Sequence, residues 1–169
     1  MKSHRYMLLE RIVRFAALTL FLLGGSARAQ VFGTDAHTVT VQVAVITSVR
    51  VTGGAVNLNI GNANAVAGQD QMSVSDQSTS LLWGTNSSLR KISVNTNLAA
   101  QKYTLNLLAM NPTVGTAAPE VTLGAASRDL LLNIGRSSGS CTLRYTGVAL
   151  ASQGTGSDVH VITFTVLAQ

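Results

Sequence analysis

Two short stretches near opposite ends of the chain share a pattern that could do chemistry, Asp35-Ala36-His37 and Asp158-Val159-His160. Each sets a carboxylate and an imidazole two residues apart, which puts both on one face of a β-strand. If the strands that carry them are neighbours, Asp35, His37, Asp158 and His160 form an oxygen–nitrogen ligand set for zinc or another divalent metal. The competing reading gives Asp a turn role at a strand entry and leaves His on a solvated edge. No Cys/His cluster accompanies the four residues, so the second reading is preferred and no cofactor is expected.

Other catalytic patterns are missing. Gly-x-Ser-x-Gly does not occur, and Gly135-Arg136-Ser137-Ser138-Gly139 has the wrong spacing for a nucleophile elbow. Gly154-Thr155-Gly156 lacks the following helix that a phosphate-cradling loop needs. With few carboxylates and so few imidazoles, the chain is not expected to be an enzyme. The lone Trp83 could form a carbohydrate platform, but such faces array several aromatics; between Leu82 and Gly84 it reads as a core anchor. Cys141 is the only cysteine, so no internal disulfide can form, and its alternation with Leu143 and Tyr145 reads as a small buried hydrophobe. Asn86-Ser87-Ser88 fits a glycosylation acceptor but serves equally as a turn.

These residues are positioned by strands. Val39, Val41, Val43 and Val45 alternate with Thr38, Thr40 and Gln42, the period of a strand with one buried face. Val49-Arg50-Val51 continues it, Gly53-Gly54 marks a tight turn, and Val56-Asn57-Leu58-Asn59-Ile60 alternates again, predicting a hairpin. Gly61–Ser78 is a long polar stretch, read as either mobile, functional or hiding a short strand around Met72–Val74. Further strands are predicted at Thr79–Thr85, Lys91–Thr96, Lys102–Met110, Glu120–Leu123, Arg128–Ile134 and Ser140–Leu150. The closing strand runs from Asp158, with Ile162, Phe164 and Val166 facing the core. Both prolines, Pro112 and Pro119, fall outside every predicted strand. Eight or nine strands with regular turn signals and no helix predict an antiparallel β-sandwich of immunoglobulin-like or Greek-key type. An outer-membrane barrel would need aromatic girdles that this chain lacks.

The first 29 residues read as a secretory signal. Lys2, Arg5, Arg11 and Arg14 precede the apolar run Phe15–Leu23, and Ala27-Arg28-Ala29 ends it as a small-x-small cleavage site. The run is well short of the roughly 20 residues that span a bilayer, and no later stretch is apolar enough to do so as a helix. Residues 30–169 are then one secreted domain. Five of the twelve Lys/Arg and one of the seven Asp/Glu lie before residue 30, which leaves seven against six, a net of +1. The basic balance belongs to the leader and gives no footprint for a nucleic-acid partner.

The segment Gly156-Ser157-Asp158-Val159-His160-Val161-Ile162-Thr163-Phe164-Thr165-Val166, preceded by Cys141-Thr142-Leu143-Arg144-Tyr145, resembles the closing hairpin of small exported bacterial β-sandwich proteins, the spore-coat/pilin-like secreted proteins among them. Leu82-Trp83 with Phe164-Thr165-Val166 is also similar to WxL surface domains, although the Trp-x-Leu tripeptides are missing, as is the second cysteine typical of pilus subunits. The resemblance covers about 30 C-terminal residues, implies a surface or structural role and transfers no site residues. The expected function is a non-enzymatic structural or adhesive protein, secreted to the cell surface, the extracellular space or the periplasm. Its expected partners are other copies or surface proteins, met through exposed strand edges. The alternative is a carbohydrate- or metal-binding module.

Overall fold

The computed structural model describes residues 35–169. The predicted signal segment lies outside them. The chain divides into two units, Met1–Gln42 and Val43–Gln169. Of the first, the described residues 35–42 carry no regular element and are exposed throughout.

The second unit is an all-β sandwich of nine strands. They are β1 (Thr47–Thr52), β2 (Gln71–Thr85), β3 (Arg90–Thr96), β4 (Thr104–Met110), β5 (Thr116–Ala117), β6 (Val121–Thr122), β7 (Arg128–Ile134), β8 (Ser137–Leu150) and β9 (Ile162–Ala168). Two antiparallel sheets form, one ordered β1-β2-β8-β4-β6 and the other β5-β7-β3-β9. Among the described residues there is no α-helix, only single 3-10 turns at Asn62–Asn64 and Ala151–Gln153.

Alternation sends one side chain in two to the space between the sheets, except where the β3–β7 register shifts and consecutive Leu130 and Leu131 are both buried. From the five-stranded sheet come Leu81 and Trp83 of β2, Leu105 and Leu107 of β4, and Cys141, Leu143 and Tyr145 of β8. From the four-stranded sheet come Ile92, Val94, Leu130, Leu131 and Ile134. Ile162, Phe164 and Val166 of β9 are half-buried against this core, on the face the sequence assigns them. Leu130-Leu131-Leu132 belongs to a strand, as its bounding turns suggest.

Three expectations change. Val39, Val41, Val43 and Val45 form no strand and are 71%, 83%, 68% and 74% exposed. Alternation permits a half-buried strand, but a ladder needs a neighbour, and none of the described strands pairs with this segment. The first strand begins only at Thr47, where β2 supplies that neighbour through Thr85. Val56–Ile60 likewise makes no hairpin. Gly53 does turn the chain, at φ +106°, but Leu58 and Ile60 then settle over Gly147 of β8, where a missing side chain leaves room. Finally, the short strand expected around Met72–Val74 within Gly61–Ser78 is present and longer than expected, while 61–70 stay outside any strand. β2 starts at Gln71 and absorbs its polar stretch through a break in register between Asp76 and Thr79. Asp76 caps that break by accepting from Ser78 N at 2.9 Å and Ser78 Oγ at 2.6 Å, and these bonds hold its carboxyl below the ordinary range.

Candidate functional site

The Asp158–His160 pair lies just ahead of β9, in a segment fixed by side-chain bonds. The Asp158 carboxylate accepts from the backbone N–H groups of both Lys102 and Tyr103, each at 2.8 Å. Around it, the Tyr103 hydroxyl donates to Gly154 O at 2.8 Å and Lys102 Nζ donates to Thr155 O at 2.6 Å. Gln153 Nε2 donates to Lys102 O at 2.7 Å. This clasp ties the turn before β9 to the entry of β4, and it uses the Asp158 carboxylate on amides. Asp158 serves as an acceptor for amides distant in the chain, at the entry of β4.

His160 faces a hydroxyl. Its Nδ1 lies 3.1 Å from Thr96 Oγ1, and the Thr96 residue is fully buried. Burial lowers the imidazole pKa, and the nearby Asp158 charge pulls it the other way more weakly. A catalytic relay would need the acid bonded to the imidazole and a nucleophile on the other nitrogen. Here the acid is engaged with backbone amides and the hydroxyl belongs to a core threonine.

Asp35 and His37 sit in the other unit, both exposed; the Asp35 Oδ1 accepts from the next residue's amide, Ala36 N, at 2.8 Å. Among the described residues, no three His, Cys, Asp or Glu side chains gather where a metal ion could be held. Trp83 is buried at 4% exposure, its indole packed over Gly139, so its ring is not offered at the surface. Cys141 is buried as well, and burial pushes its thiol up to about 11, which keeps it protonated and unreactive at neutral pH. Tyr145 beside it is pushed up to about 12 for the same reason.

What the fold does expose is backbone at one side of the sandwich. The edges of the two sheets formed by β1 and β9 meet there. β9 pairs with β3 in unbroken register from Arg90–Ala168 to Thr96–Ile162, and among the described residues nothing pairs with its other edge. Its seven residues include no charge, no proline and no bulge. Natural edge strands are ordinarily blunted by one of these devices. The other three edge strands differ: β5 and β6 are two residues long, and β1 carries Arg50. Along the β1–β9 seam apolar surface stays partly open, with Val51 at 43% exposure and Val49, Ile162, Phe164 and Val166 half-buried.

The segment before β1 adds a second exposed feature. Asn86 holds Ile46 through two bonds and Ala44 through a third: Asn86 N donates to Ile46 O at 3.2 Å, Ile46 N to Asn86 Oδ1 at 2.8 Å, and Asn86 Nδ2 to Ala44 O at 2.7 Å. Asn86 thus acts as a clamp rather than a glycan acceptor poised in free space. Ahead of it the valine stripe is unpaired. Sequence reasoning found the stripe but assigned it to the core; the missing information was the strand order.

No protein-family model, curated protein or solved structure matches the chain.

Proposed function

We propose that the protein is an exported, non-enzymatic structural or adhesive component of the cell surface that assembles through strand pairing at a sheet edge. The observation that carries this reading is the free edge of β9, seven regular, uncharged residues without any device that discourages pairing. Such an edge recruits an extended segment through main-chain hydrogen bonds, with alternate side chains giving specificity. The leader-like first 29 residues and the Ser/Thr/Asn/Gly-rich surface support an exported setting, and an immunoglobulin-like sandwich suits a structural role there. The resemblance to small exported bacterial sandwich proteins points the same way.

Size-exclusion chromatography with light scattering, followed by negative-stain microscopy of the exported chain, tests the reading. Oligomers or filaments that grow with concentration support it. A concentration-independent monomer that binds glycans on an array would replace it with the carbohydrate-module reading.

A further inference from the structure

Resting on that proposed function, we infer that the β9 edge receives the Thr38–Val45 segment of a second copy of this chain, which lies along it as a tenth strand. Three matches lead to this pairing. The first is length: eight residues of Thr38–Val45 face seven of β9. The second is period. Val39, Val41, Val43 and Val45 repeat every second residue, as do Ile162, Phe164 and Val166, so a paired segment would turn all four valines toward the seam. Thr38, Thr40 and Gln42 would then face solvent with Thr163 and Thr165. The third is the state of the two surfaces. The valines are between 68% and 83% exposed, and the seam beside β9 keeps Val51 at 43%. Each is apolar surface that the described fold leaves wet. Neither strand has a charged residue to oppose the approach.

β9 is the preferred acceptor on the same grounds. Two-residue strands such as β5 and β6 cannot hold an eight-residue segment, and pairing on β1 would align the donor with Arg50. The Asn86 clamp fixes the segment's root at Ala44 and Ile46, so a donor arrives already anchored to its own domain. That leaves fewer residues to be ordered when the pair forms.

Mixing chains that each carry one introduced cysteine beside the buried Cys141 tests the proposal. Thr40→Cys is combined with Thr163→Cys or Thr165→Cys under mild oxidation, with Thr40→Cys plus Arg50→Cys as the control. Mid-strand positions are chosen so that either strand direction brings one pair together. The expected result is a disulfide-linked heterodimer at least tenfold more abundant than in the control. In parallel, Val41→Asp/Val43→Asp should retain the wild-type melting temperature, because both sites are exposed, and should shift the assembly midpoint to at least tenfold higher concentration. Wild-type assembly by the doubly substituted chain, or cross-linking no better than the control, would overturn strand donation while leaving edge-mediated assembly intact. A Thr40→Cys/Thr165→Cys chain that closes on itself as a monomer would overturn the choice of a second copy. A wild-type chain that stays monomeric at every concentration would sink this inference and the proposed function together.

Discussion

Two parts of the molecule begin alike and end in opposite states. Asp35-Ala36-His37 and the valine stripe that follows it have the same grammar as Asp158-Val159-His160 and the run through Val166. The second becomes β9, with Asp158 holding two amides, His160 against Thr96 and three apolar side chains against the core. The first has no ladder, no core contact among its valines and only a local bond for its aspartate. The difference is the neighbour. β3 offers β9 a full ladder, whereas the N-terminal stretch has only Asn86 at its root. A strand-like pattern is therefore a capacity for pairing, and the rest of the fold decides whether it is used.

Paired substitutions sharpen this contrast, and the largest difference is expected in the apolar positions. Phe164→Ala should cost about 2–3 kcal/mol in urea unfolding, somewhat below a fully buried Phe because the ring is only half covered. Val41→Ala in the monomer should cost less than about 0.5 kcal/mol. Equal costs would mean that the stripe is packed in solution. Next come the aspartates. Asp158→Ala strands two amides on Lys102 and Tyr103 and should cost about 1–2 kcal/mol, while Asp35→Ala should leave the midpoint unchanged. A matching loss from Asp35→Ala would break the contrast.

A smaller effect is expected from pH. Burial holds the folded-state pKa of His160 below its ordinary value of 6.5, so the unfolded chain binds the proton more readily. The stability tied to neutral His160 is present above about pH 6.5 and declines as the pH falls through the ordinary value toward the lower folded one. Melting curves at pH 7.5 and 5.5 should converge in His160→Gln relative to wild type; an unchanged gap would assign the pH dependence elsewhere. Smallest is the clamp. Asn86→Ala should abolish slow hydrogen exchange at the Ile46 amide and cost about 1 kcal/mol or less, with β9 amides unaffected.

Much of the sandwich is legible in residue order because alternation is local. β3, β4, β7, β8 and the core face of β9 follow from it, and the burial of Trp83 and Cys141 follows from their neighbours in sequence. What is not legible depends on partners distant in the chain. Thr79 and Met72 look like separate strands because polar Ser75–Ser78 intervene, yet β8 pairs with both and a register break carries the polar residues across. Val56–Ile60 looks like half of a hairpin, yet the bare backbone of Gly147, about ninety residues on, draws Leu58 and Ile60 away. The Asp-x-His echo is the clearest case. Spacing alone cannot tell a ligand set from an amide acceptor, and only the closeness of Lys102 N and Tyr103 N to Asp158 decides the role of that copy.

Cys141 lies in β8 with Leu81 of β2 opposite it, one residue beyond Thr142, where the ladder to β4 ends. A thiol at that depth, with its proton held to about pH 11, meets an alkylating reagent only when the ladders around it part. Its labelling rate is then a clock for the parting of β2 and β8. Because no second cysteine competes, that clock reads one event, and it needs no engineered probe.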